Sequence, residues 1–341
     1  MINQVYSLVS PRQFEVTYKD RSLNGDGVIV RPTKLSICAA DQRYYTGKRG
    51  EEALAKKLPM SLIHEGIGKV VYDPEGKLQV GTEVVMIPNT PVEEDEVISE
   101  NYLRSSKFRS SGFDGFMQDY VFLKRDRIIP LFEGMNSNVA AFLELISVSI
   151  HAITRFKETA HSRREVFGVW GDGNLGFITA LILKTKFRDS QVIVFGKNHS
   201  KLEYFSFVDE KYQINEIPDD VKVDHAFECV GGLGSQYAIN QIIDCIQPQG
   251  IIAMLGVTEQ HVEINTRMVL EKGLTLMGSS RSGHNDFAKT VNFLEQNREV
   301  VDYLETLVAS VNEVKNMEDI IRVFEKDLVT PWGKTIMEWK I

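Results

Sequence analysis

The stretch "VFGVWGDGNLGFITALILK", residues 166–184, decides the fold. A short apolar run ends at Trp170, and Gly171, Gly173 and Gly176 follow in a G-x-G-x-x-G array. An apolar segment at helical spacing comes next. In a strand–loop–helix unit the first glycine permits the tight turn, the second lets backbone approach a pyrophosphate, and the third lets helix and strand pack closely. The free N–H groups of Asn174 and Leu175 at the helix start then face the anion. A glycine triplet alone is weak evidence, and a methyltransferase loop or a plain tight turn would share it. Here strand, loop, helix and a second strand occur in the order a dinucleotide site requires.

Working outward, "EVFGVW", "QVIVFG", "HAFECV", "IIAMLG" and "LTLMGS" are buried-strand candidates separated by helical stretches, which implies a parallel sheet covered on both faces. Before them, "NVAAFLELISVSIHAITRF" (138–156) predicts one long apolar helix. Residues 1–135 read instead as short strands and turns. "QFEVTYKD" alternates, with Phe14, Val16 and Tyr18 on one side, and "KVVYDPEGKLQVGTEVVMIP" (69–88) reads as strand, turn, strand, strand. Such a pattern suggests a barrel or sandwich. "TPWGKTIMEWKI" at the C-terminus reads as strand again and is expected to rejoin the first domain.

Composition sets the limits. The chain has 341 residues, 43% hydrophobic and 25% charged, long enough for two domains. A net charge of −8 argues against a broad nucleic-acid surface but leaves room for a small basic pocket. Neither a signal peptide nor a membrane-length apolar run is visible, and three scattered cysteines offer no disulfide framework. A cytoplasmic protein without a membrane or nucleic-acid partner is therefore expected.

The second strand of the cofactor unit bears on the choice of dinucleotide. An NAD site usually ends this strand with Asp or Glu, which binds the ribose hydroxyls. Here the position is Gly196, followed by Lys197, Ser200 and Lys201. With no carboxylate to repel a 2′-phosphate and three groups able to bind one, NADPH is expected over NADH. Lysines at a helix start are more often simply solvated, so the missing acid carries more weight than the cations.

The N-terminal half supplies a second constellation. Cys38 lies in "SICAADQRYYTG", His64 and Glu65 in "SLIHEGIGKVV", and Glu144 in "AFLELISVSIHA". Thiolate, imidazole and carboxylate are the ligand types of a catalytic zinc that keeps one position open. A lone Cys or His is more often a core residue, but a carboxylate in an apolar helix is costly unless paired. Asp41, three residues after Cys38, could orient the His64 imidazole or could be a helix cap.

The segments "CAAD", "IHEGIG" and "FLEL", with the glycine loop, resemble the zinc-dependent medium-chain dehydrogenase/reductase family, related to alcohol and sorbitol dehydrogenases. The resemblance implies an α/β chain: a GroES-like β-barrel catalytic domain over 1–138, completed by about 290–341, and a doubly wound Rossmann domain over 139–289. It implies that Cys38, His64, Glu65 and Glu144 surround Zn2+, not all bound at once, and that Tyr44 stands as in polyol dehydrogenases. Three departures stand out. Residues 89–112 contain no cysteine, so the structural zinc lobe of many relatives is missing. Ala40 replaces a proton-relaying Ser or Thr, and Ile63 replaces the glycine before the histidine. With Ala40, a zinc-bound water held by Glu65 or Glu144 is expected to supply the proton.

Within the family, "FRSSGFDGFMQDY", "DHAFECVGG" and "LEKGLTLMGSSRSG" are most similar to the branch that reduces ribulose 5-phosphate to ribitol 5-phosphate with NADPH. That branch supplies CDP-ribitol for teichoic acids or capsules. The resemblance implies a phosphorylated ketose substrate, a homo-oligomer with a dimer favoured, and a cytidylyltransferase as next enzyme. Arg43, the Arg104–Lys107–Arg109 cluster and Arg281 are candidate phosphate ligands, with Arg281 also able to face the cofactor. The alternatives are a polyol dehydrogenase for an unphosphorylated sugar, a methyltransferase using the glycine loop, and a non-catalytic binding protein.

Overall fold

The computed structural model describes residues 1–23, 25 and 27–341. The chain divides into two compact units, Met1–Leu145 with Ser282–Ile341, and Ile146–Arg281.

The first unit is built mostly on antiparallel pairing, with one parallel pair, Val308–Val314 beside Lys334–Trp339. A small sheet sets Ile2–Ser10 between Gln13–Asp20 and Met60–Ser61. A larger one runs Ile128–Pro130, Glu83–Met86, Glu65–Tyr72, Val28–Ser36, Lys334–Trp339, Val308–Val314, with Val121–Leu123 also paired to Val28–Ser36. The C-terminal strand thus lies beside Val28–Ser36, antiparallel to it. Alternation along these strands turns Val28, Val30, Leu35, Val70, Val84 and Met86 into one core. Phe14, Tyr45 and Phe324 close it, with ring centroids 4.7–5.8 Å apart.

The second unit is a six-stranded, wholly parallel sheet. Its order is Glu210–Gln213, Gln191–Gly196, Val166–Trp170, His225–Glu228, Ile251–Met254, Thr275–Gly278. The order reverses direction at Val166–Trp170, so the sheet is doubly wound about the strand that feeds the glycine loop. Trp170 stacks on Phe195 at 3.8 Å, locking the two strands that flank the loop.

Two local expectations are corrected, and two strand features are added. The long helix is two, Ser137–Ala140 and Leu143–Thr159, because the ladder tightens: Phe142 N–H bonds the Val139 carbonyl and Leu145 N–H that of Phe142. In 69–88 the middle strand is absent. Asp73 accepts from the Glu75 and Leu78 N–H groups, so the chain after it turns instead of pairing, and Val80 points to solvent. Tyr18 is 68% exposed although Phe14 on the same strand is buried. The polar strand Glu210–Gln213 carries no apolar run and escaped the sequence reading.

Candidate active site and cofactor cradle

Cys38 stands at the N-cap of the helix Ala39–Tyr45, and Asp41 is its third residue. The Asp41 carboxylate reaches back to accept the Cys38 N–H at 3.1 Å, half of a capping box. Its other oxygen faces His64 Nδ1 at 3.5 Å. Cap and histidine partner are therefore one carboxylate. That second oxygen also accepts the Ile63 N–H at 3.0 Å and the Ser110 hydroxyl at 2.7 Å. Both donors have left-handed backbones, φ +68° at Ile63 and +59° at Ser110. A β-branched residue there costs on the order of 1–3 kcal/mol and persists only where its surroundings hold it. Here the Ile63 N–H is tied to Asp41 and its carbonyl to the Phe116 N–H at 2.7 Å.

His64 follows directly, and Glu65 opens the strand Glu65–Tyr72. Donor atoms of Cys38, His64 and Glu65 all lie within 4.8 Å of one another. His64 and Glu65 are buried, and Cys38 is partly so. Glu144, second residue of the helix Leu143–Thr159, stands outside that tight triplet but is buried and feels the charges of His64, Glu65, Lys334 and Asp41. Sequence reasoning missed Lys334. This residue is 3% exposed, and its Nζ lies 3.0 and 2.9 Å from the two Glu65 oxygens and 2.7 Å from the Ile37 carbonyl. No spacing pattern marks it, because it arrives on the returning strand Lys334–Trp339.

The electrostatics follow from burial against neighbours. Burial alone would push the His64 imidazole down, but Asp41, with a smaller push from Cys38, more than offsets it and holds it well above its ordinary range. Burial and the Glu65 charge push the Cys38 thiol up, opposed by His64. Burial would raise the Asp41 carboxyl, yet His64, Ser110 and the Cys38 N–H keep it below its usual value. Glu144 is pushed up to about 7, chiefly by burial. A thiol, an imidazole and a carboxylate converging out of water, with nitrogen held by a carboxylate, form a donor set that fits zinc.

Tyr44 lies on the same helix as Asp41, buried, its hydroxyl accepting from Lys57 Nζ at 2.9 Å. Of the basic cluster, Arg109 is withdrawn. Its guanidinium donates to the Asp114 and Phe122 carbonyls at 3.1 and 2.8 Å, and burial pushes it down to about 10. Arg104 and Lys107 are exposed and Arg43 is half-buried.

In the second unit Gly171 has φ +130°, and a Cβ on Gly176 would stand 2.0 Å from the Gly171 carbonyl oxygen. Gly173 is the N-cap of the helix Asn174–Lys186, which begins with Asn174 and Leu175, and a Cβ there would meet nothing within 4 Å. That is a cradle with room in front of it. The expectation that no carboxylate stands at the end of the second strand needs correction. Asp172, from within the glycine loop, places its carboxylate there, 2.8 and 2.6 Å from the Lys197 and Asn198 N–H groups and 3.1 Å from the Asn198 amide. It is committed to backbone. It also explains Gly196, since a Cβ there would collide with Asp172 Cβ and Leu202 at 2.7 Å, leaving no space for a ribose-binding acid. Lys197 and Ser200 are exposed and Lys201 half-buried, the latter two on the helix His199–Leu202. Arg281 follows the strand Thr275–Gly278 with φ +60°.

Comparison with known proteins agrees with both halves. The alcohol dehydrogenase GroES-like domain matches residues 24–133, and the zinc-binding dehydrogenase domain matches residues 179–296. The chain belongs to the zinc-dependent medium-chain dehydrogenase/reductase family, a GroES-like domain joined to a Rossmann domain. It is 65% identical to a ribulose-5-phosphate reductase of Bacillus spizizenii over the full length of both chains. To the Streptococcus pneumoniae ribulose-5-phosphate reductase it is 44% identical, covering all of this chain and 98% of that one. The crystal structure of Staphylococcus aureus TarJ in complex with NADPH is similar throughout, with 52% identity, full coverage of both chains and a TM-score of 0.91.

Proposed function

We propose that this chain is a zinc-dependent oxidoreductase that reduces D-ribulose 5-phosphate to D-ribitol 5-phosphate with NADPH. The observation that carries the chemistry is the largely buried Cys38–His64–Glu65 triplet, with Asp41 behind the imidazole. The substrate and cofactor follow from full-length similarity to ribulose-5-phosphate reductases and to an NADPH-bound relative.

Cys38 and His64 would hold the metal, with Glu65 and Glu144 as exchanging carboxylates. When bound, zinc supplies Lewis acidity at the C2 ketone, and NADPH supplies hydride. Asp41 keeps the Nδ1 side of His64 occupied, which leaves Nε2 for coordination. Lys334 balances the Glu65 charge, so that carboxylate is not buried unpaired. Ala40 has no hydroxyl, so the proton would come through water, with Glu65 or Glu144 as the carboxylate that holds that water. Tyr44 lines the substrate side. In the cofactor domain Gly171, Gly173, Asn174, Leu175 and Gly176 would seat the pyrophosphate, and Lys197, Ser200, Lys201 and Arg281 would bind the 2′-phosphate.

We further propose a homodimer, on the outer edge of the strand Thr275–Gly278, which no described strand covers, and the exposed Leu270 beside it in sequence, at 80% exposure. A cytoplasmic location suits NADPH-dependent reduction and the three unpaired cysteines, and a cytidylyltransferase would consume the product. No described helix is long and apolar enough to cross a membrane.

The test is NADPH oxidation with ribulose 5-phosphate and, in parallel, ribulose. Turnover of the phosphorylated ketose should vanish on chelation and return with zinc. Preference for ribulose would replace this reading by a polyol dehydrogenase. Glu144→Gln should lower kcat by about 10- to 100-fold while NADPH affinity holds; equal loss of both would remove Glu144 from the chemistry.

A further inference from the structure

The loop Arg109–Asp114 carries two consecutive hydroxyls that serve different partners. Ser110 donates to Asp41 at 2.7 Å, and Ser111 accepts from Lys57 Nζ at 3.2 Å. The same ammonium donates to the Tyr44 hydroxyl at 2.9 Å and lies 5.6 Å from the centre of that ring. Arg49 covers the ring as well, its guanidinium carbon 4.9 Å from the centroid. Lys57 ends the helix Glu51–Lys57 and is half-buried. Among the described residues no carboxylate pairs with it. A half-buried ammonium held by two neutral oxygens retains most of its positive field and a third N–H to give.

Two cations therefore converge on one buried tyrosine, three residues along the helix from the carboxylate behind the metal-site imidazole. A rise of 1.5 Å per residue puts Tyr44 about 9 Å along the axis from Cys38, and side chains lean back toward the helix start, shortening the reach. In an extended 2-ketopentose 5-phosphate, C2 and phosphorus are about 6 Å apart from standard bond lengths. The geometry points to Lys57, set by Tyr44 and Ser111 and reinforced by Arg49, as the anchor for the phosphate of a phosphorylated ketose whose carbonyl lies at the Cys38–His64–Glu65 triplet. This rests on the reductase reading above and adds what selects the substrate. It also moves the phosphate site away from the Arg104–Lys107–Arg109 cluster, whose Arg109 is already committed to backbone carbonyls.

The experiment compares wild type, Lys57→Gln and Lys57→Arg in two measurements. In steady-state kinetics Lys57→Gln should raise KM for ribulose 5-phosphate by at least about tenfold, the loss of one charge-assisted hydrogen bond. KM for unphosphorylated ribulose and the NADPH dissociation constant should not rise with it, and Lys57→Arg should recover most of the loss. In the second measurement, about 10 mM inorganic phosphate should raise the melting temperature of the wild type but not of Lys57→Gln. An unchanged KM ratio between the two ketoses, or equal stabilisation of both proteins by phosphate, overturns the assignment. Failure of the wild type to reduce ribulose 5-phosphate would sink the reductase reading instead, while the phosphate measurement would still decide the anchor.

Discussion

The two ends of the chemistry are made in opposite ways. The metal-side cluster gathers ionisable side chains from distant parts of the chain, Cys38, Asp41, His64, Glu65, Glu144 and Lys334, in a largely buried place where each charge must be balanced by a neighbour. The cofactor cradle is one continuous stretch, and its working feature is the absence of side chains at Gly171, Gly173 and Gly176. A site made of buried charge is sensitive to the loss of any one partner. A site made of bare backbone is sensitive only to added bulk.

The sharpest break in that contrast should come from Lys334→Met. It strips the counter-charge from Glu65, a fully buried carboxylate, and should cost about 3–5 kcal/mol in urea unfolding. Adding Glu65→Gln should restore much of it; a double variant as unstable as the single one would mean that packing, not charge, explains the loss. A medium effect should follow Gly176→Ala, whose Cβ would press on the Gly171 carbonyl oxygen. About 1–3 kcal/mol of stability should be lost, and NADPH fluorescence titration should show weakened binding with zinc content intact. Unaltered NADPH affinity would refute the role given to the loop. The mildest should be Ser110→Ala. Asp41 keeps its two backbone donors, so about 1 kcal/mol is at stake, together with zinc affinity about tenfold lower in chelator competition. If affinity holds while stability drops, Ser110 braces the loop alone and does not set the histidine.

Legibility divided along the same line. The parallel sheet and the glycine loop could be read because hydrophobic runs and glycine spacing are local signals, and the five apolar strands are all present. The strand Glu210–Gln213 was invisible because it lacks the apolar run that advertises burial. Asp172 hid for another reason. It sits between two glycines, and only folding carries its carboxylate to the end of the neighbouring strand. Asp41 presented two alternatives in the sequence, cap or histidine partner, and the structure makes it both.

By itself the sequence determined which chemistry was available: a thiol, an imidazole and carboxylates of the kinds zinc accepts, and a nucleotide loop without a ribose-binding acid after its second strand. Tertiary structure alone decided how those groups are poised. Lys334 against Glu65, Ser110 and a left-handed Ile63 on one oxygen of Asp41, and Lys57 on Tyr44 all join residues whose separation along the chain encodes nothing about their distance in space. Residue type sets what a side chain can do, and burial beside a particular neighbour sets which charge it holds and where it points.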